Sequence, residues 1–582
     1  MKKTKLFAIV SIIICTLFAV LASACAHALD VPTGWTIDEN LVLSWAGVED
    51  ARNYLIEIKN CETGETEEET SRKKSISLEE LDVGNYEIKI KAVAGERSGN
   101  ADSGWSKVIE FERKKESGCL YTLVNNREYE LTKIGKAEGD LVIEDEYRGK
   151  PVTSIAKGAF KGTGCTRLTS VVIGKYVSTI GELAFFNCTN MKSVTIPESV
   201  KSIGASAFQG CSSLTEVTLP KDIQIVQPST FNYCKGLEKV NFNDGLLAID
   251  EGGFANCDAL KEVTIPDSVI ILGVDAFAGN VGLEKVTIGK GVTQMYDSVF
   301  EGCESLMEVV FPEDGALTFL GTRVFSKCKS LKEIKIPEGV TEIQNGLLRD
   351  CESLEKVELP DSLNLLGNNL LTNTKLYKTQ AEAGNTYVYA DQWLVGCPRL
   401  NVLEYFKPEE VKEDVVGIAK GVFAFAPQLK EVEIPLSLKY VGSQAFCQCP
   451  KLNKVWVKEG NSLVELGTYA FQGCKMLTNV NLANGIKEIE SYCFMDCELL
   501  DNNTYDPTLL IPESVESVGT WAFKNTALWG KPDEYGFIYA SNWLVGYDKE
   551  KFSSSNAELR KEGEGPNKEI YLDTVGISDF AL

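Results

Sequence analysis

Ile196-Pro197-Glu198-Ser199-Val200-Lys201-Ser202-Ile203-Gly204-Ala205-Ser206-Ala207-Phe208-Gln209-Gly210-Cys211-Ser212-Ser213-Leu214-Thr215-Glu216-Val217-Thr218 is one unit of a repeat. Its phenylalanine returns as Phe185, Phe208, Phe231, Phe254, Phe277 and Phe300, each 23 residues after the last. Phe160 and Phe325 keep the phase through two-residue insertions. Leu348 and Leu371 take the next two slots, and Phe423, Phe446, Phe471, Phe494 and Phe523 continue the series. A period of this length marks a solenoid. Within a unit, Val200 to Ile203 and Leu214 to Leu219 read as short extended segments, with a tight helical or 3₁₀ turn at Ala207-Phe208 between them. Gly204 and Pro220 break the segments. One unit cannot bury its own apolar face; stacked copies give each apolar slot a column in a continuous core.

The motif Ile-Pro-x-Ser-Val-x-x-Ile-Gly-x-x-Ala-Phe-x-x-Cys-x-x-Leu-x-x-Val resembles the BspA-like leucine-rich repeats of bacterial surface proteins. It spans about 460 residues and recurs about fifteen times. The resemblance implies a surface location and adhesive or recognition roles, with partners that include host matrix proteins, and it implies no catalytic residues. The expected fold is mainly β: a leucine-rich-repeat solenoid over 118–582 with short helical turns.

Upstream, residues 29–114 alternate apolar and polar side chains between turn signals. Leu41 to Trp45 and Tyr54 to Ile58 read as strands, and Leu81-Asp82-Val83-Gly84-Asn85-Tyr86 leads into another through Ile88, Ile90 and Ala92. A tryptophan on an early strand, and a tyrosine whose hydroxyl can bond back to the backbone, suit a two-sheet sandwich. About 85 residues here resemble a fibronectin type III domain, which implies a spacer or a binding module.

Residues 1–28 read as an export signal: Lys2, Lys3 and Lys5, then an uncharged run from Leu6 to Ala26, then Ala26-His27-Ala28. Cleavage after Ala28 is expected. Lipid attachment at Cys25, behind Ala22-Ser23-Ala24, and retention as an uncleaved anchor are the alternatives, and they are the only routes to a membrane. Cleavage removes three lysines and no acid, taking the formal charge from −24 to −27. So acidic a chain repels nucleic acid and anionic lipid. The single histidine, His27, lies in the signal. The mature chain therefore has no Ser-His-Asp or Cys-His catalysis, no histidine-ligated zinc and no histidine switch. Carboxylate pairs could serve a glycosidase, but 83 Asp and Glu make such pairs common by chance. No enzyme, metal or cofactor is expected.

Ten cysteines follow the Phe/Leu slot by three residues: Cys188, Cys211, Cys234, Cys257, Cys303, Cys328, Cys351, Cys449, Cys474 and Cys497, with Asn280 interrupting the column. Their spacing follows the repeat rather than a pairing scheme, so buried thiols are expected in place of disulfides.

In Leu-x-x-Val-x-Leu the residues flanking Val face solvent. Glu238-Lys239, Lys261-Glu262, Glu284-Lys285, Met307-Glu308, Lys332-Glu333, Glu355-Lys356 and Lys430-Glu431 alternate in sign. Such a face is either a self-paired solubilising ladder or a polar recognition surface. Thr195, Thr218, Thr264 and Thr287 form a second outward column, interrupted by Asn241, and Val310 and Trp456 stand in it. An outward aromatic here is a contact candidate.

Insertions at about 375–415 and 527–575 carry Tyr389-Ala390-Asp391-Gln392-Trp393-Leu394-Val395-Gly396 and Tyr539-Ala540-Ser541-Asn542-Trp543-Leu544-Val545-Gly546, their tryptophans 150 residues apart. Each is expected to form a hairpin on one solenoid edge, with Trp393 and Trp543 as either binding or packing residues. Residues 552–568 are polar and expected to be mobile. Leu582 stands in the Phe slot, so the chain reads as a fragment ending inside a repeat. Three functional readings follow: an exported adhesion scaffold for proteins, a glycan-binding or carbohydrate-handling surface protein, or a structural stalk.

Overall fold

In the computed structural model the described residues are 27–38, 41–82, 84–96, 98–113, 118–162, 164–457, 460–482, 484–501, 509–532, 537–540 and 543–547. The stretch read as an export signal (through Ala26), residues 552–568 and Leu582 lie outside them. The chain divides into two compact units, the first holding residues 1–116 with 148–150 and the second holding the rest.

The first unit has two antiparallel sheets. One orders Thr36–Ile37, Val42–Ser44 and Ser75–Ser77; the other orders Thr66–Ser71, Ala51–Asn60, Gly84–Ala94 and Ile109–Arg113. Alternation buries Leu43, Ile56, Ile88 and Ile90. Trp45 is buried and meets Tyr54 edge-on at 5.2 Å. The Tyr86 hydroxyl donates to the Asp82 carbonyl at 2.9 Å, the backward bond that the Leu-x-x-Gly-x-Tyr spacing predicts.

The second unit opens on an antiparallel pair, Leu120–Val124 with Glu128–Lys133, and continues as a solenoid of mostly parallel two- to six-residue strands. Each turn contributes to two sheets. Glu216–Thr218 and Lys239–Asn241, then Glu262–Thr264 and Lys285–Thr287 in a second segment, line one face, and Ile225–Val226, Ala248–Ile249, Ile271–Leu272 and Gln294–Met295 belong to the sheet of the other. The register is one repeat per step, so Val263 lies opposite Val286 and Ile249 opposite Leu272. Identical slots therefore stack. Phe185, Phe208, Phe231, Phe254, Phe277 and Phe300 form a fully buried ladder, with successive ring centroids 5.1–5.6 Å apart and planes within 13°. Phe423, Phe446, Phe471, Phe494 and Phe523 repeat it after the first insertion.

The segment around each phenylalanine is a run of linked turns rather than a continuous helix. Ala207 and Gln209 donate within the turn, to Gly204 and Ser206; Phe208 and Gly210 donate to the next turn, to Thr230 and Asn232. Alternation of this kind needs left-handed residues, and Ser206 (φ 55°) and Gly210 (φ 76°) supply them on either side of Phe208. The same two slots carry Ser229 and Tyr233, Asp275 and Gly279, Tyr469 and Gly473. A 3₁₀ turn would direct all these N–H groups inward along one turn; sharing them between turns ties the stack together axially.

Candidate functional site

The sheet built from Leu-x-x-Val-x-Leu presents the polar face that the sequence describes. Cross-strand ion pairs join Glu216 to Lys239 at 2.8 Å, Lys261 to Glu284 at 3.1 Å and Lys285 to Glu308 at 2.9 Å. All are solvent-exposed, so water and salt screen them and each contributes little to stability. Asn241 donates to both Glu216 and Thr218, at 2.8 and 2.9 Å. Thr195, Thr218 and Thr264 are exposed, whereas Thr287 and Val310 are partly buried. Trp456 sits between Glu433 and Asn481 in register. It is partly buried, and Lys454 lies over its ring at 4.2 Å. This face is largely occupied with itself.

Both insertions contain an antiparallel hairpin: Val388–Ala390 with Trp393–Gly396, and Phe537–Ala540 with Trp543–Tyr547. The first also holds the helix Lys375–Glu382, whose first turn is capped by the Thr374 hydroxyl accepting from the Tyr377 N–H at 3.1 Å. Trp393 is a correction to the surface reading. It is 2 % exposed, and its strand opens the sheet that runs on beyond the insertion, paired beside Gly417. A Cβ on Gly417 would come within 2.4 Å of the indole. The ring therefore crosses over Gly417 and lies parallel to Tyr440, 6.0 Å away and 3° off its plane. Trp393 is packing, not surface. Trp543 is likewise partly buried against the second core. A cavity of about 190 Å³ lies beside this seam, lined by Asp361, Asp391, Gln392, Trp393, Lys439 and Tyr440 among others.

Sequence reasoning passed over the second sheet. Its inward residues Val226, Ile249, Leu272, Met295 and Leu320 are at most 3 % exposed. Its outward column runs Ile225, Ala248, Ile271, Gln294, Phe319 through consecutive register pairs. Leu247 and Ile270 adjoin it, with Ile270 donating its N–H to the Leu247 carbonyl at 2.8 Å. Ile225, Leu247 and Ile270 are 39–44 % exposed. Tyr296, also exposed, meets Phe319 edge-on at 6.3 Å. A largely apolar stripe thus runs across five turns of a strongly acidic molecule, half-buried at Ala248, Ile271 and Phe319 and interrupted by the polar Gln294. The signal in the sequence was the residue before Ile in Val-x-x-Ile: Ser202 is polar there, but Ile225, Ile271 and Phe319 are not.

On the corresponding sheet beyond the first insertion the outward residues are Tyr440, Glu465, Glu488 and Ser517. Burial, then the neighbouring Glu490 and Glu488 carboxylates, pushes Glu465 up to about 7. Beside this acidic stretch Tyr469 stacks on Tyr492 at 4.6 Å, and Tyr492 meets Trp521 edge-on at 5.6 Å.

The column cysteines are free thiols, and Cys61 is the exposed cysteine among the described residues. From Cys211 onward each column thiol donates to the carbonyl of the phenylalanine one turn back: Cys211 to Phe185 at 3.2 Å, Cys234 to Phe208 at 3.2 Å, Cys351 to Phe325 at 3.1 Å. Burial pushes Cys303 up to about 12, which removes its thiolate at neutral pH. Among the described residues no group of three or more His, Cys, Asp or Glu is placed to hold a metal ion, and no helix is long and apolar enough to cross a membrane.

These features define a leucine-rich-repeat solenoid whose two sheet faces differ in chemistry. The family described as BspA type leucine rich repeat region matches in six copies, over residues 153–283, 271–397 and 410–529, and the chain belongs to it. It is a repeat-scaffold family, typically non-enzymatic, whose members are typically at the surface or secreted. No curated protein matches the chain. Among solved structures, a leucine-rich repeat protein of T. pallidum is 27 % identical, covering 38 % of this chain and 90 % of its own, at a TM-score of 0.29. One from Bacteroides ovatus is 22 % identical, covering 71 % and 91 %, at 0.30. The pneumococcal vaccine antigen PcpA is 18 % identical, covering 70 % and 93 %, at 0.33.

Proposed function

We propose that this chain is an exported adhesion or recognition scaffold that binds extracellular proteins. The observation that carries the reading is the exposed apolar stripe of the second sheet, set against a first sheet whose charges neutralise one another. A solubilising stalk has no use for Ile225, Leu247, Ile270, Ile271 and Phe319 on one outward face, because such surface costs solubility unless a partner covers it. Export rests on residues 1–28, read as a signal. The N-terminal unit is read as a fibronectin type III-like spacer, supported by its three- and four-stranded antiparallel sheets, buried Trp45 and the Tyr86 hydroxyl bond. The chain is read as non-catalytic because the mature sequence has no histidine.

The test is a binding screen of the chain from residue 29 onward against matrix proteins and glycans, repeated with Ile225→Asn/Ile270→Asn. A protein ligand whose affinity drops on stripe substitution supports the reading. Silence on both panels would sink it and leave a stalk. The glycan reading is favoured by one observation, the Tyr469–Tyr492–Trp521 row; selective sugar binding lost in Trp521→Ala would establish it in place of the protein reading.

A further inference from the structure

The stripe has edges, and they are charged. On the side that follows each strand stand Asp250, Glu251 and Asp297, all exposed, with Asp275 partly buried among them. Burial, then Glu301 and Glu251, raises Asp275 above the usual carboxylate range, while Arg323 acts the other way. Arg323 is itself paired with Glu301 at 3.1 Å. On the side that precedes each strand stand Asp222, Asp244 and Asp267, again exposed. Lys221 and Lys290 punctuate this second edge, and Lys290 pairs with Asp314 at 2.8 Å. Both edges are therefore net acidic.

The length of the stripe is set by the stacking. Ile225 to Phe319 spans four inter-strand steps of about 4.8 Å, or roughly 20 Å. An α-helix covers that distance in about 13 residues at 1.5 Å per residue. A helix also meets the width: one apolar face, with polar flanks on both sides.

Resting on the recognition reading above, we propose that the Ile225–Phe319 stripe is the seat of a basic amphipathic helix supplied by a protein partner. Its apolar face covers Ile225, Leu247, Ile270 and Ile271, and its lysine or arginine flanks lie against Asp250, Glu251 and Asp297 on one side and Asp244 and Asp267 on the other. A second copy of this chain does not fit, because its edges carry the same sign. An anionic lipid surface is repelled for the same reason.

The experiment uses the chain from residue 29 onward and two fluorescent 14-residue synthetic helices with the same leucine face, one flanked by lysine and one by glutamate. Fluorescence anisotropy is expected to show the lysine helix binding at least about tenfold more tightly, with the margin shrinking as salt is raised from 0.05 to 0.5 M. Ile270→Asn should weaken it by about tenfold or more. The charge reversal Glu251→Lys/Asp297→Lys, made on exposed residues that leave the core intact, should reverse or abolish the preference; circular dichroism confirms that both variants fold. Equal binding of the two helices, or a preference indifferent to the reversal, overturns the proposal. A protein ligand from the screen that is lost in Ile270→Asn yet ignores the reversal overturns the basic helix while sparing the recognition reading. A ligand indifferent to both removes the stripe from that reading.

Discussion

The phenylalanine and cysteine slots depend on each other. The Phe208 carbonyl accepts the Cys211 N–H of its own turn and the Cys234 thiol of the next. Replacing Phe254 by Ala opens a cavity in a fully packed column, and chemical denaturation should show a loss of about 3–5 kcal/mol. Asn280 is the flaw in the cysteine column. It is fully buried, and its side-chain oxygen accepts from the Cys257 N–H at 2.6 Å, while its side-chain NH₂ finds no protein partner. Asn280→Cys should therefore stabilise the protein by about 1–3 kcal/mol, read as a raised denaturation midpoint. Pulse alkylation of native protein should label Cys61 rapidly and spare the column thiols, which become reactive only on unfolding; fast labelling of Cys257 or Cys303 would refute the buried-thiol account. Glu465 gives a pH effect of definite sign. Its folded-state value near 7 lies above its ordinary 4.5, so the folded state holds the extra proton and stability declines as pH rises between those values. The groups acting on it are Glu488 and Glu490 of the next turn, with Tyr440 opposite it on the preceding one. Glu465→Gln should raise the melting temperature at pH 8 and leave it nearly unchanged at pH 4.

At the scale of elements, the hairpin of the first insertion is a splice between two stretches of solenoid. Trp393 packs with the first core and Leu394 with the second, as strand alternation requires. The splice depends on Gly417, which leaves the space that the indole crosses. Gly417→Val should expel Trp393 from that position, red-shifting tryptophan emission and costing about 1–3 kcal/mol through overpacking. Gly204 marks a different constraint: a Cβ there would sit 2.4 Å from the Glu182 nitrogen of the previous turn. The glycines that looked like strand breakers in the sequence are, at this slot, points where adjacent turns approach too closely for a side chain.

Over the whole solenoid, stability is the sum of turns and of their interfaces. Removing the 23 residues 174–196 should leave the Phe and Cys columns in register and give a folded protein by circular dichroism, with a modest fall in melting temperature. Removing 22 of them should be far more damaging. A one-residue slip turns each inward side chain of the neighbouring strands outward.

The period, the inward columns, the thiol placement and the paired charges of the first sheet could all be read from the 23-residue phase, because stacking turns one-dimensional spacing into neighbourhood. The antiparallel strands of the N-terminal unit were legible around Trp45 and Tyr86 for the same kind of reason: strand alternation is local. The left-handed residues at Ser206 and Gly210 were not, since only the hydrogen bonds between turns demand them. Nor was the burial of Trp393, which needs the gap above Gly417 on a strand 24 residues away. The candidate surface was least legible of all. An isoleucine in a short apolar motif reads as core, and only the tertiary register shows that Ile225 and Ile271 face outward while Val226 and Leu272 beside them face in. Sequence alone determines what repeats. Tertiary packing decides which side of each repeat meets water, because a two-residue strand has no long alternation from which its inner face could be read.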